Sequence, residues 1–127
     1  MRENNKQKVA GSSRHFFENG MRGHSAVMNI DRLEGDVYLI ERTNDRPDLK
    51  IIIADIYIAG EADIMELLDE NPGIDCIVLV GFYNRYSNAA KDYATINNVG
   101  LYDNREFFGA VNCVGRSFIN YKRKEKK

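Results

Sequence analysis

The sequence predicts a single α/β domain: a central mixed β-sheet, made of an antiparallel hairpin and a parallel βαβ half, flanked by helices. Three observations predict it. Two short apolar segments in the first half flank a polar stretch containing Asp and Gly, the pattern of antiparallel strands joined by a turn. Two apolar runs, Lys50 to Ile58 and Cys76 to Phe82, have the composition of strands covered on both faces. Each run is followed by apolar residues at helical spacing, and such alternation calls for parallel strands joined by crossovers.

A length of 127 residues with 43% hydrophobic content suits one core, here assigned to residues 1–121. The charged tail, residues 122–127, is expected to be disordered. A formal net charge of -1 excludes an overall field that would draw the chain to nucleic acid or to an anionic membrane, and leaves room only for a local basic patch. No apolar stretch is long enough to span a bilayer, and the polar start Met1 to Lys8 has no secretory pattern, so a cytoplasmic protein without membrane contact is expected. Cys76 and Cys113 have neither CxxC spacing nor a neighbouring His and read as free thiols.

The first helix is expected around Val9, Phe16 and Phe17, with Gly20 as its cap. Ser25 to Ile30 and Val37 to Glu41 form the hairpin, turned by residues 31–36. After the Pro-containing stretch Thr43 to Leu49, the Ile-rich run Lys50 to Ile58 is the centre of the sheet. Ile64, Leu67 and Leu68 place a helix over Glu61 to Glu70, with acids in its first turn and Asn71-Pro72-Gly73 as its stop. Ser87 caps a third helix with Ala90, Tyr93 and Ala94 inward. Gly100 to Tyr102 is the last strand, and Asp103 with Glu106 makes a capping box for a helix that buries Phe107, Ala110 and Val111.

Cys76-Ile-Val-Leu-Val-Gly-Phe-Tyr-Asn, then Ser87-Asn-Ala-Ala-Lys-Asp-Tyr-Ala, then Val99-Gly-Leu-Tyr-Asp and Glu106-Phe-Phe give the chain a profile of strand, helix with paired alanines, short strand and closing helix. In this it resembles the Mrr-like branch of the restriction-endonuclease-like superfamily, named for its PD-(D/E)xK motif. The resemblance covers most of the chain. It implies a restriction-endonuclease-like fold and a site in which carboxylates hold Mg²⁺ or Mn²⁺ while a Lys orients the attacking water. Asp36 and Asp55 would hold the metal, with Glu41 or Glu61 assisting. Tyr57 stands where the motif has its Lys, and Lys50 is the substitute on the same strand. The resemblance therefore implies a catalytically eroded domain, one needing no cofactor, that acts as a nucleic-acid- or protein-binding module. Should the site work, Asp55 and Lys50 would be its catalytic residues.

Pro47-Asp48-Leu49-Lys50-Ile51-Ile52-Ile53-Ala54-Asp55-Ile56 also looks like the phosphoacceptor strand of response-regulator receiver domains. That likeness covers the middle third and implies a degenerate signalling domain with Asp55 as the phosphoacceptor. The family's acidic pair, hydroxyl residue and Lys have no counterparts here. The two resemblances differ in topology: a hairpin over Ser25 to Glu41 belongs to the first, five parallel strands to the second.

Other features bear on binding. Tyr83, Arg85 and Tyr86 follow the second apolar strand, at the sheet end where open α/β folds bind ligands, and suit stacking on bases or contact with phosphate. Tyr83, Tyr86 and Phe108 also suit a protein partner or a homo-oligomer. Arg116 and the basic tail from Lys122 read as a solvated charge run. His15 and His24 read as surface or helix-face residues.

Overall fold

The computed structural model describes residues 6–123. A short strand β1 (Lys6–Gln7) precedes helix α1 (Gly11–Arg22), which buries Phe17 and Met21 one turn apart. The expected stop at Gly20 is not the end: α1 runs on to Arg22, and the Gly23 amide closes onto Asn19 O at 3.2 Å. Gly20 serves close approach instead, since a Cβ there would stand 2.4 Å from Cζ of Phe108.

Strands β2 (Val27–Arg32) and β3 (Val37–Arg42) form the expected hairpin, with Ile30 opposite Ile40 and Arg32 opposite Tyr38. Gly35 takes φ +57° in the turn, a conformation that suits glycine. Strand β4 (Leu49–Ile56) follows, and every residue in it except Lys50 and Asp55 is buried. The run does not reach Ile58 unbroken, because Tyr57 interrupts it before the short β5 (Ile58–Ala59). Helix α2 (Glu61–Glu70) starts where the Gly60 amide donates to Asp63 Oδ2 at 2.9 Å. It ends as expected at Asn71, just before Pro72.

Strand β6 (Cys76–Leu79) is wholly buried, and the two-residue β7 (Arg85–Tyr86) pairs in parallel with β5. Ser87 Oγ accepts the Ala90 amide at 3.0 Å and so caps α3 (Asn88–Ile96). Strand β8 (Gly100–Asp103) leads into α4 (Asn104–Ala110) through the capping box of Asp103 and Glu106. A last turn of helix, α5 (Arg116–Ile119), closes the chain. The tail expected to be disordered lies outside the described residues from 124 onward.

The main sheet has the order β2-β3-β4-β6-β8, with β1 beside the end of β4. β3 runs antiparallel to both neighbours, whereas β4, β6 and β8 are mutually parallel. The sheet is therefore mixed, not a set of five parallel strands. One face is covered by α1, α4 and α5 through Phe17, Met21, Phe107 and Phe118, and the other by α2 and α3 through Ile64, Leu67, Ala90 and Ala94. Both crossover helices lie on one face, as same-handed crossovers stepping in one direction require. The central Ile and Val side chains contribute roughly 1.5–3 kcal/mol each by leaving water.

Two polar joints tie loops to this frame. Arg42 is only 5% exposed: its Nε donates to Pro47 O at 2.7 Å and its Nη1 to Val111 O at 3.1 Å and Cys113 O at 2.6 Å. His24 joins α1, β2 and α4, since the Ala26 amide donates to Nδ1 at 3.0 Å and Nε2 lies 2.7 Å from Phe108 O. That pattern requires the proton on Nε2, and makes His24 a joint in the fold where a surface role was expected. Cys76 is a buried free thiol and Cys113 a partly exposed one. No helix among the described residues is long and apolar enough to cross a membrane.

Candidate functional site

The acids named from sequence fall into two groups. Tyr38 stands opposite Ile51, so Asp36 on the β3 side and Asp55 on the β4 side share the face covered by α1 and α4. The Ile53 amide donates to Asp36 O at 3.0 Å, which separates the two acids along the sheet by two residues, about 7 Å. Both already have partners. Arg14 Nη2 forms a salt bridge with Asp36 Oδ1, while Arg14 Nη1 donates to the Tyr38 hydroxyl at 2.8 Å, and that hydroxyl donates to Glu18 at 2.5 Å. Asp55 Oδ1 accepts from Asn84 Nδ2 at 3.0 Å.

The other candidates are elsewhere. Glu41 lies five residues beyond Asp36 on the opposite face of the hairpin, about 17 Å along the strand, and accepts from Asn29 Nδ2 at 3.0 Å. Lys50, second in β4, lies on the opposite face from Asp55, its amide donating to Asp75 Oδ2 at 2.9 Å. It lines an open groove of about 620 Å³ with Leu33, Glu34, Glu70 and Asp36, so the groove brings Lys50 and Asp36 to one opening. Strand alternation over an odd spacing puts Glu41 and Lys50 on the face opposite Asp55, which keeps both away from that carboxylate. Glu61 is an exposed first-turn residue of α2. Among the described residues no three His, Cys, Asp or Glu are grouped to hold a metal ion.

The expected ligand contacts lie where the parallel strands end. Asn84 Oδ1 accepts the Ile56 amide at 3.1 Å and the Gly81 amide at 2.9 Å, which fastens the loop after β6 to the end of β4. Glycine at position 81 lets the bond between Asn84 and Asp55 form, because a Cβ would come within 2.5 Å of both Asp55 Oδ1 and Asn84 Nδ2 and push the two side chains away. Above this base Phe82 and Tyr83 are 98% and 81% exposed, with ring centroids 6.4 Å apart. The exposed Arg85 guanidinium lies 5.8 Å from the Tyr57 ring, itself half exposed. Sequence reasoning had placed Phe82 at the end of a buried strand; Gly81 was the signal that the strand had already stopped.

Comparison with known proteins adds no relative. No family model, curated protein or solved structure matches this chain.

Tyr86 does not belong with Tyr83 and Arg85. Its hydroxyl donates to the Glu106 carboxylate, 2.8 Å from Oε2, and Lys91 Nζ lies 5.5 Å from its ring. Lys91 donates to Leu101 O at 2.7 Å and sits 3.9 Å from the centre of the Tyr102 ring. Burial lowers the Lys91 pKa, while burial and then Glu106 raise that of Tyr86. Tyr38 and Tyr102 are likewise raised, chiefly by burial, as is the Cys76 thiol. Beside this cluster a pocket of about 180 Å³ is lined by Asp103, Arg105, Glu106 and Arg123.

These shifts give a pH dependence. The three phenols and the thiol are held neutral in the folded chain, so the contribution of each is complete below its ordinary value, 10.0 for the phenols and 9.0 for the thiol, and is lost as pH rises through the folded-state values. Lys91 acts in the opposite sense, one group against four. Stability to denaturant should therefore decline above pH 10, and absorbance titration should find three of the seven tyrosines ionising only as the chain unfolds. Seven phenols ionising before any loss of structure is the contrary result.

Proposed function

We propose that the chain is a restriction-endonuclease-like domain that binds nucleic acid without cutting it. One observation carries this reading: Asp36 and Asp55 share a face where the hairpin meets the parallel half, yet Asp36 is paired with Arg14, and Lys50, which shares a groove with Asp36, lies on the face opposite Asp55. A nuclease of this type needs carboxylates free to hold Mg²⁺ or Mn²⁺ and a Lys beside them. The carboxylate of Asp36 is instead neutralised by a guanidinium. The antiparallel β3 supports this reading over the receiver-like alternative, which asks for five parallel strands. Support for binding comes from the exposed Tyr83 and Arg85 at the strand ends.

The test pairs two assays on the full chain. With labelled oligonucleotides, binding should appear and weaken as salt rises, because phosphate contacts release counterions. With Mg²⁺ or Mn²⁺ supplied, the same oligonucleotides should stay intact. Cleavage that disappears in Asp55→Ala restores the enzyme reading, whereas no binding to any nucleic acid removes the proposal. A protein partner or a homo-oligomer then becomes the better account.

A further inference from the structure

We infer that the loop after β6 is a stacking platform for single-stranded nucleic acid, an inference that rests on the nucleic-acid-binding reading and specifies its ligand. Phe82 and Tyr83 project almost fully into solvent, 98% and 81% exposed, with their rings 6.4 Å apart and tilted by 45°. Exposing two large rings costs free energy that a polar loop would avoid. Nor do they hang on a loose segment. Asn84, directly behind them, bonds the Ile56 and Gly81 amides and Asp55, so the rings stand on a fixed base at the end of the sheet.

Arginines stand at the neighbouring strand ends. Arg85 is exposed, its guanidinium 5.8 Å from the half-exposed Tyr57 ring at the end of β4. Arg105 and Arg123 line the small pocket at the end of β8. The strand ends β4, β6 and β8 thus carry, in order, an arginine on an aromatic ring, two bare rings, and two more arginines. The acids in that pocket are already engaged: Glu106 by Tyr86 and the Asp103 amide, and Asp103 by the Glu106 amide.

Unpaired bases offer open faces to such rings, and stacking of this kind is insensitive to sequence. A duplex keeps its base faces against each other and presents them only at its ends. A protein partner is the less fitting occupant, since a stable interface needs an apolar centre within roughly 800 Å² per partner. Here the chain neighbours of the two rings are Gly81, Asn84 and Arg85, and among the described residues the nearby apolar surface is limited to the half-exposed Tyr57 and Ile58.

The experiment is fluorescence anisotropy with labelled oligo(dT) and with a blunt duplex of matched length. Wild type should bind oligo(dT) more tightly than the duplex. The double variant Phe82→Ala/Tyr83→Ala should weaken oligo(dT) binding about tenfold or more at unchanged melting temperature, and Phe82→Trp/Tyr83→Trp should restore it. Duplex binding as tight as oligo(dT) binding and indifferent to the double variant overturns the inference while leaving nucleic-acid binding standing. Binding of neither overturns the broader reading and this one with it. A wild-type dimer in light scattering that dissociates in the double variant, without oligo(dT) binding, reassigns the rings to self-association.

Discussion

Arg42→Met is expected to destabilise the fold by about 3 kcal/mol, the largest effect of any single change considered. The guanidinium is 5% exposed and donates to Pro47 O, Val111 O and Cys113 O. Methionine fills much of the volume but offers no donor, so the buried Val111 carbonyl and the two partly buried ones lose their partner. Val111 O also lies at the C-terminal end of α4, where the helix dipole favours a cation. Arg46 reinforces the joint by donating to Asn112 O at 3.1 Å. In a chain of 127 residues the loss corresponds to a fall of roughly 10 °C in melting temperature, with an unchanged urea m-value. Arg42→Lys should recover only part of it, because an ammonium lacks the planar fork that spans these acceptors. A loss under about 1 kcal/mol would mean that water replaces the guanidinium.

Asn84→Ala should cost about 2–3 kcal/mol, with the damage concentrated at the end of the sheet. One side chain satisfies the Ile56 and Gly81 amides and the Asp55 carboxylate, groups drawn from β4 and from the loop after β6. Hydrogen exchange should speed up at the Ile56 and Gly81 amides well before it does in β6, since the lost bonds are local. Asn84→Asp separates geometry from charge: it keeps the acceptor oxygen but sets a carboxylate against Asp55. That variant should be less stable than wild type at neutral pH and recover as the carboxylates take up protons in acid. Equal exchange at both amides in wild type and Asn84→Ala would remove Asn84 as the support of the loop.

Much of the frame was legible because it rests on local rules. Runs of apolar residues marked β4 and β6, and Ser87 and the Asp103–Glu106 pair marked helix starts that the structure bears out through direct bonds. What escaped depends on contacts distant in sequence. Gly20 is a plausible helix stop until Phe108, from α4, is seen against it. Arg42 resembles any polar strand end until α4 delivers its carbonyls. The short β5–β7 pair has no pattern of its own and follows from Asn84 drawing two loops together.

The candidate site was legible in part for the same reason. Asp55 stood out because a carboxylate among isoleucines must find a partner, and it has one in Asn84, distant in the chain. Placing Glu41 and Lys50 beside it needed the faces of both strands, which alternation fixes only once the register is known. Tyr83 and Arg85 were found from their position after a strand, whereas Tyr86, in the same loop, turned inward to Glu106.

The Lys91 ammonium, seated on the Tyr102 ring and bonded to Leu101 O, lies along β8, the terminal strand on that side. A foreign strand arriving there would have to evict it to reach the carbonyl, so enlargement of the sheet from that flank is obstructed. Any tendency toward fibrils or strand exchange must therefore be sought at the other flank, along β2, where the irregular register between Val27 and Asn29 and the charged Asp31 and Arg32 are the counterpart obstructions.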